Sequence, residues 1–182
     1  KEAAYILNNS QAKILFSVND FLGSNYFDFL VDEDLPHLKH RIALDIKDSH
    51  ETTNLKSLTI SGLSEDLPIV NEEDIADIIF TSGTTGKPKG VISTHGQNIK
   101  VFNFWSTYIG LNQDDKYLIV IPFFHTFGYK AGWLAAVMRG ATAYPFPVFD
   151  ADQIIETINR EKISMLPGPP TLYQSILTSS LI

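Results

Sequence analysis

Residues 75–90 read Ile75-Ala76-Asp77-Ile78-Ile79-Phe80-Thr81-Ser82-Gly83-Thr84-Thr85-Gly86-Lys87-Pro88-Lys89-Gly90. The apolar run Ile75 to Phe80 has the length and composition of a strand. Directly behind it, Thr81 to Gly90 holds three glycines, four hydroxyl residues and two lysines. Glycines let a backbone aim its N–H groups at a bound anion without a side chain in the way, hydroxyls donate further hydrogen bonds, and lysines bring mobile positive charge. A strand that empties into such a loop suits a polyphosphate ligand. A solvated hairpin turn is the alternative reading, since the same residue types mark turns in general. The mononucleotide loop Gly-x-x-x-x-Gly-Lys-Ser/Thr is excluded, because Thr81 stands at its first glycine and Pro88 at its magnesium-binding hydroxyl.

Outward from this loop, strands and helices alternate. Downstream the pattern predicts a strand at Gly90–Ser93, a helix at Gly96–Tyr108, a strand at Lys116–Ile121, a helix at Gly128–Met138 and a strand at Ala141–Tyr144. Asp150 then caps a helix through Arg160, followed by a strand at Ile163–Leu166 and a helix from Pro169 to Leu177. Upstream, Glu2–Asn9 reads as a helix and Ala12–Val18 as a buried strand. Tyr26–Leu30 is a candidate helix, Arg41–Ile46 a short strand, and the rest of the stretch to Ser64 is polar and without period. Asn71 to Asp74 suits a turn before the strand that opens this account. Such alternation predicts an α/β fold: a largely parallel sheet flanked by helices.

The chain has 182 residues, 44% of them hydrophobic, enough for a core. Its formal net charge of −7, with 21 acidic against 14 basic residues, gives no overall attraction to nucleic acid or anionic lipid. With no cysteine, disulfide frameworks, thiol catalysis and cysteine-ligated zinc are excluded, and a reducing compartment fits. No apolar stretch approaches the ~20 residues that span a bilayer, so a soluble protein without a transmembrane segment is expected. His37, His40, His50 and His95 show no metal-ligand spacing, and no metal ligand is assigned. Trp105 and Trp133 fall on predicted helices, where core or interface burial is the simpler expectation.

A second landmark is Ile121-Pro122-Phe123-Phe124-His125-Thr126-Phe127-Gly128. It sets one histidine among aromatics at the end of a strand, where ligands bind in open α/β sheets. An imidazole here can hydrogen-bond an anion, and Phe123, Phe124 and Phe127 offer surface for an apolar group. Core packing is the alternative for the phenylalanines, and a structural role for His125. A third stretch, Met165 to Thr171, places Gly168 and Pro169 at a helix entry, which is ordinary structural chemistry.

Thr81 to Gly90 resembles, at all ten positions, the phosphate-binding signature of the adenylate-forming (AMP-binding) superfamily, which includes acyl-CoA synthetases, luciferases and the adenylation domains of peptide synthetases. Ile121 to Gly128 resembles its Pro-x-x-His-x-x-Gly element. The resemblance implies that Thr81, Ser82, Gly83, Thr84, Thr85, Gly86, Lys87 and Lys89 contact the phosphates of ATP, Lys87 being the less certain lysine of the two. It implies that His125 lies near the bound carboxylate and adenylate in the catalytic site. The activity implied is ATP-dependent activation of a small-molecule carboxylic acid to acyl-AMP, then transfer to a thiol, coenzyme A in the acyl-CoA synthetase or fatty-acid–CoA ligase type, in the cytoplasm. An aryl- or amino-acid adenylation domain and a non-catalytic nucleotide-binding relative are the alternatives.

The resemblance runs over residues 1–182, as part of the large N-terminal domain, with phosphate loop 81–90 and second motif 121–128. The family's Tyr-Gly-x-Thr-Glu element, whose Glu holds Mg²⁺, its Gly-Asp element for the ribose, and its C-terminal lysine do not occur in this sequence. They are expected beyond Ile182, together with the C-terminal domain, so the chain alone is expected to be inactive. The identity of the acid and the oligomeric state are not legible.

Overall fold

A computed structural model describes residues 1–44, 52–58, 68–82 and 86–182. These fall into two compact units, residues 1–69 with 80–91 and residues 70–79 with 92–182.

In the first unit, helix α1 (Glu2–Asn9) leads into β1 (Ile14–Ser17), which is not the buried strand expected at Ala12–Val18, since Ile14 and Phe16 stay 47% and 52% exposed. Strands β2 (His40–Ala43) and β3 (Thr53–Asn54) follow, and α2 (Leu55–Leu58) closes the run. The three strands lie in the order β1-β2-β3, all parallel, with Ile14 opposite His40 and Ile42 opposite Thr53. Ala4, Phe27, Leu30, Ile42 and Ala43 form the buried residues of this unit. The helix expected at Tyr26–Leu30 is instead a short 3-10 turn at Asp28–Leu30. Asn25 accounts for this: its side chain accepts from the Phe27 N–H at 3.0 Å and donates to Asp28 Oδ1 at 2.8 Å, a local alternative to helical pairing. The strand expected at Arg41–Ile46 runs from His40 to Ala43, and its expected end at Asp45–Ile46 lies outside the described residues. The polar stretch that follows contains β3 and α2, elements too short to leave a period in sequence.

Strands β4 (Ile75–Thr81) and β5 (Lys89–Thr94) pair with each other. The connection 82–88 is shorter than the dozen or so residues a parallel crossover needs, so they form a hairpin. The hairpin's tip belongs to the first unit and its base to the second.

In the second unit, α3 (His95–Tyr108) starts at a capping box: Thr94 accepts from the Gln97 N–H, and the Gln97 side chain accepts from the Thr94 N–H. Strand β6 (Lys116–Ile119) pairs in parallel with β7 (Thr142–Pro145), Tyr117 opposite Ala143. Tyr117 and Ile119 face one way and pack with Leu111, Ala135 and Ala136; Leu118 and Val120 face the other and pack with Ile154, Ile155, Leu172 and Ile176. Alternate side chains leaving opposite faces explain why β6 reads as one apolar run: helices cover both sides. Helix α5 (Ala151–Glu161) is capped by Asp150, as expected, through the Gln153 N–H at 3.0 Å, and α6 (Pro170–Leu177) starts from Pro169.

Two expectations change here. The strand expected at Ile163–Leu166 is reduced to a single parallel bridge, Met165 to Tyr117, in which Met165 donates to the Lys116 carbonyl at 3.1 Å and accepts from the Leu118 N–H at 2.9 Å. Beside it the Lys116 N–H goes to a side chain, Ser164 Oγ at 3.0 Å, which in turn donates to Asp115 at 2.7 Å. The helix expected at Gly128–Met138 is a π-helical segment, Phe127–Leu134, that tightens into α4 (Ala135–Arg139). Its wide turns carry Gly128 against the carbonyl oxygens of Ile121 and Pro122, where a Cβ would overlap both, and α4 ends on Gly140 at φ +70°.

Candidate functional site

The tip of the β4–β5 hairpin lies in the first unit. Thr81 ends β4, and its hydroxyl points to the Lys89 carbonyl at a long 3.5 Å. Thr81, Ser82, Gly86, Lys87 and Lys89 are all exposed. Gly86 sits at φ +83° with open space around its Cβ position, so the left-handed backbone, not crowding, calls for glycine. Ser82, Gly86, Lys87 and Pro88 line a hollow of about 380 Å³ with Glu2 and Tyr5 of α1. Lys87 Nζ stands 6.0 Å from the centre of the Tyr5 ring, at the outer limit of a cation–π contact. Among the described residues Lys89 has no such aromatic neighbour. The expected phosphate ligands Gly83, Thr84 and Thr85 lie outside the described residues.

In the second unit the chain leaves β6 and turns at Pro122. The His125 N–H donates to the Pro122 carbonyl at 3.0 Å, and the His125 carbonyl accepts from the Tyr129 N–H at 3.1 Å, so the residue is fixed on both sides. The Phe127 N–H donates to His125 Nδ1 at 3.1 Å. A backbone N–H only donates, so Nδ1 is the acceptor and the neutral ring carries its proton on Nε2. That tautomer is the one able to donate to a carboxylate.

His125 lines one end of an apolar groove of about 400 Å³. Val101, Phe104, Trp105 and Tyr108 of α3 form its wall, and Phe127 meets Trp105 edge-on at 5.7 Å. Of the three phenylalanines expected to offer apolar surface, Phe127 does so here; Phe123 and Phe124 are exposed and do not line it. The α3 residues escaped the reading of the sequence, although 101, 104, 105 and 108 follow an i, i+3, i+4, i+7 spacing that marks one helical face. Trp105 is half-buried, with Nε1 donating to the Ala131 carbonyl at 3.1 Å, whereas Trp133 stays exposed at 42%. Tyr117 donates to the same carbonyl at 3.0 Å, and burial pushes its phenol up to about 12, its hydrogen-bonded contact with Trp105 opposing the shift.

A second group of residues was also missed. Lys130, Asp77, Asn98 and Ser93 form a buried polar cluster behind the second motif. The signal was present in sequence, as one charge inside each of two apolar runs. Gly168 and Pro169 are structural, with Leu172 packed against Gly168. Among the described residues no group of three His, Asp or Glu side chains is placed to hold a metal ion, and no helix is long and apolar enough to cross a membrane.

The profile of the family described as AMP-binding enzyme matches residues 1–181. The chain is 39% identical over 180 residues to the 3-[(3aS,4S,7aS)-7a-methyl-1,5-dioxo-octahydro-1H-inden-4-yl]propanoyl:CoA ligase of Mycobacterium tuberculosis, covering 97% of the chain and 36% of that protein. It is 38% identical over 189 residues to the enzyme of the same name from Rhodococcus jostii, again covering 97% of the chain and 36% of the relative. The chain thus spans about a third of the length of these relatives. A crystal structure described as a putative long-chain-fatty-acid CoA ligase from Rhodopseudomonas palustris superposes with a TM-score of 0.84 at 21% identity, over 97% of this chain and 43% of that one.

Proposed function

The chain belongs to the AMP-binding enzyme family, and from that membership we propose that it supplies the phosphate loop and part of the acid site of an ATP-dependent carboxylic acid–CoA ligase. The carboxylate oxygen attacks the α-phosphorus of ATP, the α–β bridging bond breaks, and pyrophosphate leaves. The thiol of coenzyme A then attacks the acyl carbon of the acyl-adenylate, and AMP departs as the proton leaves sulfur.

The observation that carries this reading is that, of the run Thr81 to Gly90, the described residues Thr81, Ser82, Gly86, Lys87, Lys89 and Gly90 are exposed. Thr81 and Ser82 present hydroxyls and Lys87 and Lys89 present ammonium groups, a donor set that fits the β- and γ-phosphates of ATP. Gly83, Thr84, Thr85 and Gly86 complete the loop in this reading. Neutralising the charge of the leaving pyrophosphate is where such a loop contributes most to rate. Mg²⁺, when bound with ATP, supplies further positive charge; the described residues offer it no ligand set. In this reading His125 donates from Nε2 to the carboxylate or adenylate and orients it. It has no need to act as a base, because a carboxylate is already ionised at neutral pH.

The groove beside His125 takes the apolar body of the acid. Its aromatic wall suits a bulky ring-bearing acid, and the two relatives named above are ligases of a ring-bearing propanoate. The cysteine-free sequence fits a reducing compartment, and in this reading the reaction is cytoplasmic. The test is carboxylate-dependent exchange of labelled pyrophosphate into ATP by the enzyme carrying this chain, with linear, aromatic and alicyclic acids compared. Exchange with formation of AMP supports the reading; formation of ADP, or no exchange with any acid, overturns it.

A further inference from the structure

Lys130 occupies the apolar run Gly128-Tyr129-Lys130-Ala131-Gly132-Trp133 and is only 3% exposed. Its ammonium has three N–H bonds and meets three oxygens: Asp77 Oδ1 at 2.8 Å, Asn98 Oδ1 at 2.9 Å and Ser93 Oγ at 3.0 Å. The other oxygen of Asp77 accepts from Asn98 Nδ2 at 2.6 Å. Ser93 Oγ and Asn98 Oδ1 accept hydrogen bonds from the ammonium, and Asp77 Oδ1 meets it as an ion pair. None of these side chains lines the aromatic groove.

Packing alone does not call for this arrangement. Taking a lysine and an aspartate out of water is costly, and apolar residues of similar volume fill such a space at no loss of stability. What the charged set adds is direction. Three oxygens carried by β4, β5 and α3 must converge on one nitrogen, and that fixes the rotation of the π-helical segment about its own axis. One residue before Lys130, the Tyr129 N–H holds the His125 carbonyl, so the same rotation sets where His125 stands. One residue after it, the Ala131 carbonyl takes the Trp105 and Tyr117 donors, which ties the segment to α3 and β6.

We propose that Lys130, held by Asp77, is a positioning residue for the acid-binding segment: it sets the rotation of the π-helical segment so that His125 and Phe127 meet the groove in one register. This rests on the reading of that groove as the acid site. Lys130 touches neither acid nor nucleotide in this role, and acts through the backbone of Tyr129 and Ala131.

The experiment has two arms, each run on Lys130→Met and on the paired change Lys130→Met with Asp77→Leu. The second variant removes both charges, so that a fold lost to an unpaired buried carboxylate does not obscure the result. In the first arm, the chain carries Trp133→Phe, which leaves Trp105 as the sole tryptophan. The expected result is a shift of Trp105 emission to longer wavelength with unchanged far-ultraviolet circular dichroism; unchanged emission overturns the proposal. In the second arm, pyrophosphate exchange is measured in the enzyme carrying this chain. The expected result is a KM for the acid raised about fivefold or more with the KM for ATP held within about twofold, since a residue that positions one substrate moves one KM. No change, or an equal rise in both, overturns it. If the unsubstituted enzyme exchanges pyrophosphate with no acid, the ligase reading falls, and the emission arm alone decides whether the segment is held as proposed.

Discussion

The Phe127 N–H donates to His125 Nδ1 at 3.1 Å, so a backbone group two residues on selects the tautomer of the one histidine in the second motif. Only Nε2 is left to act as donor toward a bound acid. Replacing the ring by His125→Ala removes that donor, and a hydrogen bond to a charged group is worth about 1.5–3 kcal/mol. Expected is a fall of about 10- to 100-fold in kcat/KM for the acid, with the KM for ATP little changed. Steady-state pyrophosphate exchange with each substrate varied in turn measures both.

The two lysines of the loop are expected to differ. Lys87 stands over the Tyr5 ring, whereas Lys89 opens β5 beside Thr81 without such a contact. Lys89→Ala is expected to lower kcat/KM for ATP by about 100-fold, the scale on which a charge-stabilising donor acts. Lys87→Ala is expected to cost under about tenfold on the same measure, in keeping with a cation partly committed to an aromatic face. The reverse order would move the phosphate contact to Lys87.

Gly128 and Gly132 lie in the same π-helical segment but against different neighbours. A Cβ on Gly128 overlaps the carbonyls of Ile121 and Pro122, which are backbone and cannot step aside; a Cβ on Gly132 meets Ile119 Cγ2 at 2.9 Å, a side chain that can. Gly128→Ala is expected to destabilise the chain by about 3 kcal/mol or more, Gly132→Ala by about 1–2 kcal/mol. Urea denaturation of the purified chain ranks them, and equal losses would argue against the close approach at Gly128.

Burial holds the Tyr117 phenol up to about 12, against 10.0 for a free tyrosine. Its neutral form is therefore favoured by the fold. Below pH 10 both states keep the proton and nothing changes; above it the unfolded chain ionises first and binds fewer protons, so stability falls as pH rises toward 12. The loss attributable to this residue is on the order of 2 kcal/mol. Tyr117→Phe should flatten that part of the stability curve while costing about 1 kcal/mol at neutral pH for the hydrogen bond to Ala131. Denaturation midpoints across alkaline pH, with tyrosinate absorbance followed in parallel, check both statements.

How much of this was legible in sequence depended on how local each signal was. The strand at Lys116–Ile121 and the helix that Asp150 caps are decided within a few residues, and the structure agrees with the reading there. The sequence pattern starts α3 at Gly96, whereas the Thr94–Gln97 capping box starts it at His95. The π-helical register could not be read, since i→i+5 and i→i+4 pairing leave the same apolar composition over one short segment. Lys130 and Asp77 stand far apart in the chain, and only the fold shows that each answers the other. The reading of Thr81 to Gly90 as a phosphate loop rests on residue types and a family resemblance, whereas the groove needed α3 to be placed beside His125 before its spaced aromatics could be seen as one surface.

Strand β6 has β7 on one side and Met165 on the other, and the two arrive at different times as the polypeptide is made. When β7 has left the ribosome, Met165 is still to come, with all of α5 between them. Throughout that interval Tyr117 and Leu118 present an unpaired backbone edge, the template on which a second nascent copy can add a strand. The order of synthesis therefore makes translation speed through α5 a determinant of how much of this chain reaches the folded state unaggregated.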